Sequence, residues 1–258
     1  MIDFFTNLDW SAIAPYIGIG FAAQLIDGAL GMAFGVICST LLVSVMGVPP
    51  ARASAGVHLV EMFTTGASGI SHALHKNVDW KLFTRLAVPG VIGGCLGAYV
   101  LSNIDASVTR PVVMLYLTCI GFYLLFKALT YPAEPKEQQA RVVVPLGLIG
   151  GFMDASGGGG WGPIVTSNLL IQGTDPRKTV GTVNAAEFFL TLSISITFIL
   201  TIGIEAFTIV TGGLLIGGLI AAPFGAMIAK RIKVRSLMLM VGVVLTATSL
   251  FSLYKALA

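Results

Sequence analysis

Charge is what this sequence lacks. Only 10% of its 258 residues are Asp, Glu, Lys or Arg, against about a quarter in a soluble globular domain. Too few polar groups are present to coat a water-facing surface, so most of the exterior must face lipid. The longest polar stretch, 131–141 (YPAEPKEQQAR), is too short to fold alone and reads as a linker. Cysteine is equally scarce. Cys38, Cys95 and Cys119 lie inside apolar runs without metal-type spacing, which points to core packing and to no metal site. The net charge of +3 is small and scattered, which argues against a nucleic-acid partner. The opening MIDFFTNLDW carries two Asp and no basic residue, unlike a secretory signal. No GxxxxGK[ST] loop is present, so ATP would have to come from a partner, and no cofactor is expected. Neither HExxH nor GxGD occurs, and Ser71 after Gly69 lacks the following glycine of a serine-hydrolase elbow. An enzyme is therefore the remote reading.

Apolar length and glycine are abundant. Hydrophobic residues make up 55% of the chain, with 31 glycines, and mean hydropathy is +0.90. Eight apolar segments can be marked: 12–46, 53–75, 80–102, 108–130, 142–172, 178–201, 205–229 and 235–257. Six suit the roughly 20 residues that span hydrocarbon as a helix. The segments 12–46 and 142–172 are too long for one crossing. Each is interrupted by glycine: Gly28, Gly31 and Gly35 in one, Gly157 to Gly160 and Gly162 in the other.

These two segments also match each other. Aligning Asp27 with Asp154 pairs Gly31 with Gly158, Phe34 with Trp161 and Gly35 with Gly162. After one deletion, Gly47 meets Gly173, Pro50 meets Pro176, His58 meets Asn184 and Glu61 meets Glu187. Gly97 then pairs with Gly225, and Lys127 with Lys255. The chain reads as a tandem repeat of about 110 residues, a plan common among secondary transporters. The halves are 1–130 and 142–258, joined by the linker 131–141.

Basic residues report the orientation. If every segment crosses once, the 15 Lys and Arg divide 8 to 7. If 142–172 is a hairpin that returns to its starting side, they divide 12 to 3, with only Arg52, Arg110 and Lys255 in the minority. The hairpin reading fits the rule. Extended to 12–46 by the repeat, it gives an all-α polytopic membrane protein of two inverted repeats. Each repeat is a glycine-broken helical hairpin followed by three spanning helices, with both termini outside.

Backbone that leaves helical form at membrane depth must be buried in protein or line a cavity. The glycine breaks therefore belong in the interior, where a helix starting afresh turns unpaired N–H groups toward the centre. Such a tip binds an anion without a cationic side chain. This makes Gly31 and the run Gly157, Gly158, Gly159 and Gly160 candidate substrate contacts. The plainer reading is tight helix packing. Asp27 and Asp154 precede the breaks, either capping the exposed amides or holding protons. Glu61 and Glu187 lie deep in apolar segments, where a carboxylate is a functional hypothesis by default. His58 and Asn184, three residues earlier, share their helix faces. All four are candidate substrate contacts, and the two glutamates are also candidates for proton coupling.

The sequence GGFMDASGGGGWGP (150–163), the PRKTVGT turn (176–182), and Asn184 with Glu187 resemble the sulfite exporter TauE/SafE family, the toluene sulfonate uptake permeases. Their first-half counterparts, DGALG (27–31) and the stretch from Pro50 to Glu61, fit the same pattern, and the match covers residues 15–257. The first half carries Leu30, Met32 and Ala33 where the second has Gly157, Gly159 and Gly160. The resemblance implies a permease of a bacterial-type inner membrane, carrying sulfite, sulfonates, sulfoacetate or related small anions. An anion channel is the nearest alternative. Substrate, direction, coupling ion and any homo-oligomer stay open.

The charge split generates a direct test. Single cysteines at Gln138 and Lys233 should react in intact spheroplasts only with membrane-permeant reagents, whereas cysteines at Ser102 and Ile204 should label from outside. Opposite sidedness for 138 and 233 would exclude the inverted arrangement.

Overall fold

Several helix starts are set by proline and aspartate, and glycine caps the helix ends at Gly158 and Gly203. In the computed structural model, described over residues 10–30, 32–130, 140–204, 209–231 and 234–257, ten α-helices account for nearly all of the ordered backbone. No strand occurs among the described residues. Two helices fill the first long segment: α1 (Trp10–Leu30) and α2 (Phe34–Ser44). Three follow: α3 (Pro50–Leu74), α4 (Trp80–Ser102) and α5 (Ala106–Thr130). The second long segment holds α6 (Val144–Gly157), a π-helical turn over Trp161–Thr166, and α7 (Ser167–Ile171). The remaining helices are α8 (Pro176–Ile202), α9 (Ile209–Arg231) and α10 (Val234–Leu257). Most of the linker (131–139) lies outside the described residues, as do Gly31, residues 1–9 and residue 258.

Pro50 and Pro176 stand in first turns, where a missing N–H forfeits no helical bond. Asp79 caps α4 by accepting from the Lys81 and Leu82 amides, and Asp175 caps α8 by accepting from Lys178 N–H at 2.7 Å. Trp80–Ser102, Ala106–Thr130 and Lys178–Ile202 are each long and apolar enough to cross a membrane. Large apolar side chains point outward along these helices, with Leu200 80% and Phe126 65% exposed. In water such surfaces would associate; in a bilayer they meet lipid tails. The chain is a multi-pass membrane protein.

The helices pack in four principal pairs. α4 lies along α6 and runs in the same direction, with Leu86 against Gly147, Gly90 against Gly151 and Gly97 against Ala155. α1 lies along α9 in the same manner, with Tyr16 against Gly213 and Phe21 against Gly217. α3 and α8 run antiparallel, pairing Gly66 with Phe188 and Gly69 with Ala185. α5 and α10 are also antiparallel, through Gly121 with Thr246 and Leu125 with Gly242. Small residues at these seams let backbones approach closely enough for dispersion contacts, the main attraction left between helices in lipid.

The second long segment returns to where it began. Gln172 Oε1 accepts from the Arg141 and Val142 amides at 2.9 and 3.0 Å, tying the base of the segment together. Its first limb, α6, has 14 residues and rises about 21 Å, short of the roughly 30 Å of hydrocarbon.

The glycine seams divide tolerated from intolerable substitutions. A Cβ on Gly151 would collide with the Gly90 carbonyl, which is backbone and cannot step aside, whereas Gly18 has nothing within 4 Å. Gly151→Ala should lose about 1–3 kcal/mol or more to overpacking and melt earlier in detergent. Gly18→Ala should melt at or above the parent, since alanine gains up to about 1 kcal/mol of helix propensity.

Candidate functional site

Both breaks are built around an aspartate on the preceding helix. In the first, Asp27 Oδ1 accepts from Ala33 N–H at 2.6 Å and Phe34 N–H at 3.1 Å. Ala33, at the start of α2, has no side chain able to cap it, so the aspartate six residues back does so. In the second, Asp154 Oδ1 accepts from Trp161 N–H at 2.8 Å, and its backbone carbonyl accepts from Gly159 N–H at 2.8 Å. α6 stops at Gly158, whose φ of 74° lies in the left-handed region that glycine enters without a steric penalty.

The carbonyls of the second break take their hydrogens from other helices. Tyr116 on α5 donates to Gly159 O at 2.9 Å, Ser54 on α3 donates to Ala155 O at 2.7 Å, and Ser39 on α2 donates to Gly158 O. Sequence reasoning missed all three hydroxyls. Their only signal was a polar side chain inside an apolar run, which is too common to single them out.

His58 does not face the cavity beside Glu61, as their shared spacing on α3 suggested. It is fully buried and turned to Asp154, with Nε2 3.0 Å from Oδ2. Its Nδ1 lies 2.7 Å from Ser54 O. A carbonyl can only accept, so Nδ1 carries a hydrogen, and a second hydrogen must lie between Nε2 and Oδ2. The pair joins α3 to α6 at membrane depth.

The two breaks meet. A Cβ on Gly35 would lie 3.0 Å from the Gly159 Cα, and one on Gly162 would lie 2.6 Å from the Met32 Cα. Between them is a narrow cavity of about 30 Å³, room for a couple of waters. Asp27, Glu61, Asp154 and Glu187 all reach its wall, together with Asn184, Gly160 and Gly162. Glu61 is 7% exposed and Glu187 half-buried. Asn184 donates one amide hydrogen to Val180 O at 2.9 Å, leaving the other for the cavity. No Lys or Arg lines this cavity.

The glycine run divides by role. Gly157 lies against the Tyr116 ring, Gly158 against Ser39 and Gly159 against the Gly35 backbone, so these three serve close approach. Only Gly160 of the four reaches the cavity, joined by Gly162.

Residues 16–252, spanning both breaks and every residue of the cavity, match the family described as Sulfite exporter TauE/SafE. The chain belongs to that family. A relative in Bacillus subtilis (strain 168), "Probable membrane transporter protein YtnM", is 42% identical over 231 residues, which cover 87% of this chain and 77% of that protein. No solved structure matches the chain. In this TauE/SafE member the matched region thus includes the aspartate-capped breaks, the His58–Asp154 pair and the two cavity glutamates.

The His58–Asp154 pair carries a prediction. His58→Ala would strand the Asp154 Oδ2 atom in a dry interior, and breaking a buried pair by removing one partner costs about 3–5 kcal/mol. Asp154→Asn combined with His58→Ala removes the stranded charge while keeping an oxygen for Trp161 N–H. A double-mutant cycle of melting temperatures should show the double variant melting above His58→Ala alone. Strict additivity would mean that the two side chains do not interact.

Proposed function

We propose that this TauE/SafE member is a secondary transporter of a small oxyanion of the sulfite or sulfonate class, working in a bacterial-type inner membrane. The observation that carries the reading is the meeting of two broken helices around one narrow cavity at membrane depth. Gly160 and Gly162 lie at its wall where the Trp161–Thr166 turn begins, and the first amides of a helical turn have no acceptor within it. With the Trp161 amide taken by Asp154 and Pro163 lacking an N–H, the Gly162 amide is the donor this turn offers an anion, at the positive end of its dipole. Asn184 adds a neutral donor. Transport is the activity in the printed name of the Bacillus relative, and sulfite is the substrate in the family's name.

The architecture we propose is a pair of inverted repeats. Its support is the reciprocity of the packing. The opening helix of each half lies along the fourth helix of the other, as α1 on α9 and α6 on α4. The corresponding helices α3 and α8 run antiparallel, as do α5 and α10, as an inverted pair related by a two-fold axis requires. Both ends of the chain would then lie outside.

Glu187 is the residue we assign to proton coupling. A carboxylate beside an anion in a low-dielectric cavity repels it strongly. A proton on Glu187 removes one negative charge from the site while the anion is bound and leaves with it when the cavity opens.

Thermal melting of the purified protein tests the substrate class. Sulfite, thiosulfate or an alkyl sulfonate should raise the melting temperature saturably, since a ligand at about 100 times its Kd stabilises by about 2.7 kcal/mol. Chloride salts of the same cation should not. In liposomes, Glu187→Gln should retain exchange of the stabilising anion but lose its accumulation under an imposed pH gradient. Accumulation equal to the parent's would remove Glu187 from the coupling.

A further inference from the structure

The two glutamates of the cavity are not equivalent. The Glu61 carboxylate, carried on α3, lies against the first turn of α2, beside Gly35. A Cβ on Gly35 would come within 3.0 Å of Glu61 Oε1, so the glycine is what allows this approach. Asp27 already satisfies the two preceding amides, Ala33 and Phe34. Carboxylates from two other helices thus lie against the start of the 11-residue helix α2. The remaining oxygen, Glu61 Oε2, is buried and has no hydrogen-bond partner, while the side chain reaches the cavity wall. Its counterpart Glu187 receives no backbone hydrogen bond among the described residues.

A carboxylate placed against the start of a helix, with one oxygen unpaired in a cavity, is chemically an anion on a tether. We propose that the first turn of α2 is a second anion-binding position whose resident ligand is the Glu61 carboxylate, and that a free carboxylate or sulfur oxyanion occupies it once Glu61 withdraws. The position deepens the transport reading above, on which its role in translocation rests; the binding itself does not depend on it.

The exchange links anion to proton. Ionised Glu61 is attracted to the positive end of α2, and a protonated one much less so. The acidic groups facing it are Asp27 on α1, Cys38 on α2, Asp154 on α6 and Glu187 on α8. His58, on the same helix, is turned to Asp154, so the attraction on the Glu61 carboxylate comes from the helix end it lies against. An incoming anion replaces the charge that Glu61 gives up on taking a proton, and the number of negative charges at the α2 terminus is unchanged.

Chemical rescue with formate, the smallest detached carboxylate, tests this without knowledge of the transported substrate. Glu61→Ala and Glu61→Ser vacate the position. Formate should raise the melting temperature of these variants saturably, by several degrees, while leaving the parent and Glu187→Ala unmoved. Stabilisation of neither vacated variant, or equal stabilisation of all four proteins, would overturn the proposal. Should both variants fail to elute as single species, formate is added from lysis onward. Recovery of monodisperse protein only in its presence supports the assignment, and aggregation with or without formate counts against it. A parent protein that no sulfur oxyanion stabilises would defeat the transport reading and leave the formate result standing.

Discussion

A helix interrupted inside a bilayer exposes amides and carbonyls that lipid cannot satisfy, and each group left bare costs several kcal/mol. The rest of this structure answers that constraint twice. Asp27 and Asp154 take the amides on the far side of each break. Ser39, Ser54 and Tyr116, from three different helices, donate to the carbonyls of the second. Every one of these bonds fixes a helix to a break, so the polar requirement of the tips doubles as the glue of the centre. The hydrophobic effect cannot supply that glue, because lipid tails are as apolar as leucine.

The same requirement explains the concentration of acid where the two breaks meet. A carboxylate is the strongest acceptor available for a row of helical amides, and an unoccupied row would hold whatever anion it met. Asp154 serves two masters, the Trp161 amide through one oxygen and His58 through the other. The histidine brings a donor to membrane depth without a long flexible side chain, and its bond to the Ser54 carbonyl fixes the ring.

What could be read from the sequence was whatever is local. The limits 80–102 follow from hydropathy alone and coincide with those of α4, because a spanning helix is a contiguous property of the chain. Four adjacent glycines after an aspartate, Gly157 to Gly160, mark a helix stop for the same reason. The π-helical turn was not legible, since it depends on how Gly162 and Pro163 seat against Met32 across the break. Nor was the turning of His58 toward Asp154, 96 positions away; heptad-like spacing put it beside Glu61, and a tertiary partner outweighed that proximity. The unequal roles of the four glycines were hidden as well, because a glycine that admits a neighbouring backbone and one that faces a cavity have the same letter.

The packing of the opening helices has a consequence for how the protein is made. α6 finds its seat on α4, which the ribosome has already delivered. α1 must wait for α9, which emerges only after most of the chain has been synthesised. At about 5–20 residues per second, α1 spends on the order of tens of seconds without its partner, the face at Gly20 that packs on α9 uncovered. The amino-terminal half is thus born incomplete, and its last partner arrives near the end of translation. A nascent chain stalled after α8 would hold one finished tip and one orphaned one. Membrane quality control would meet that orphan as broken backbone without a lid.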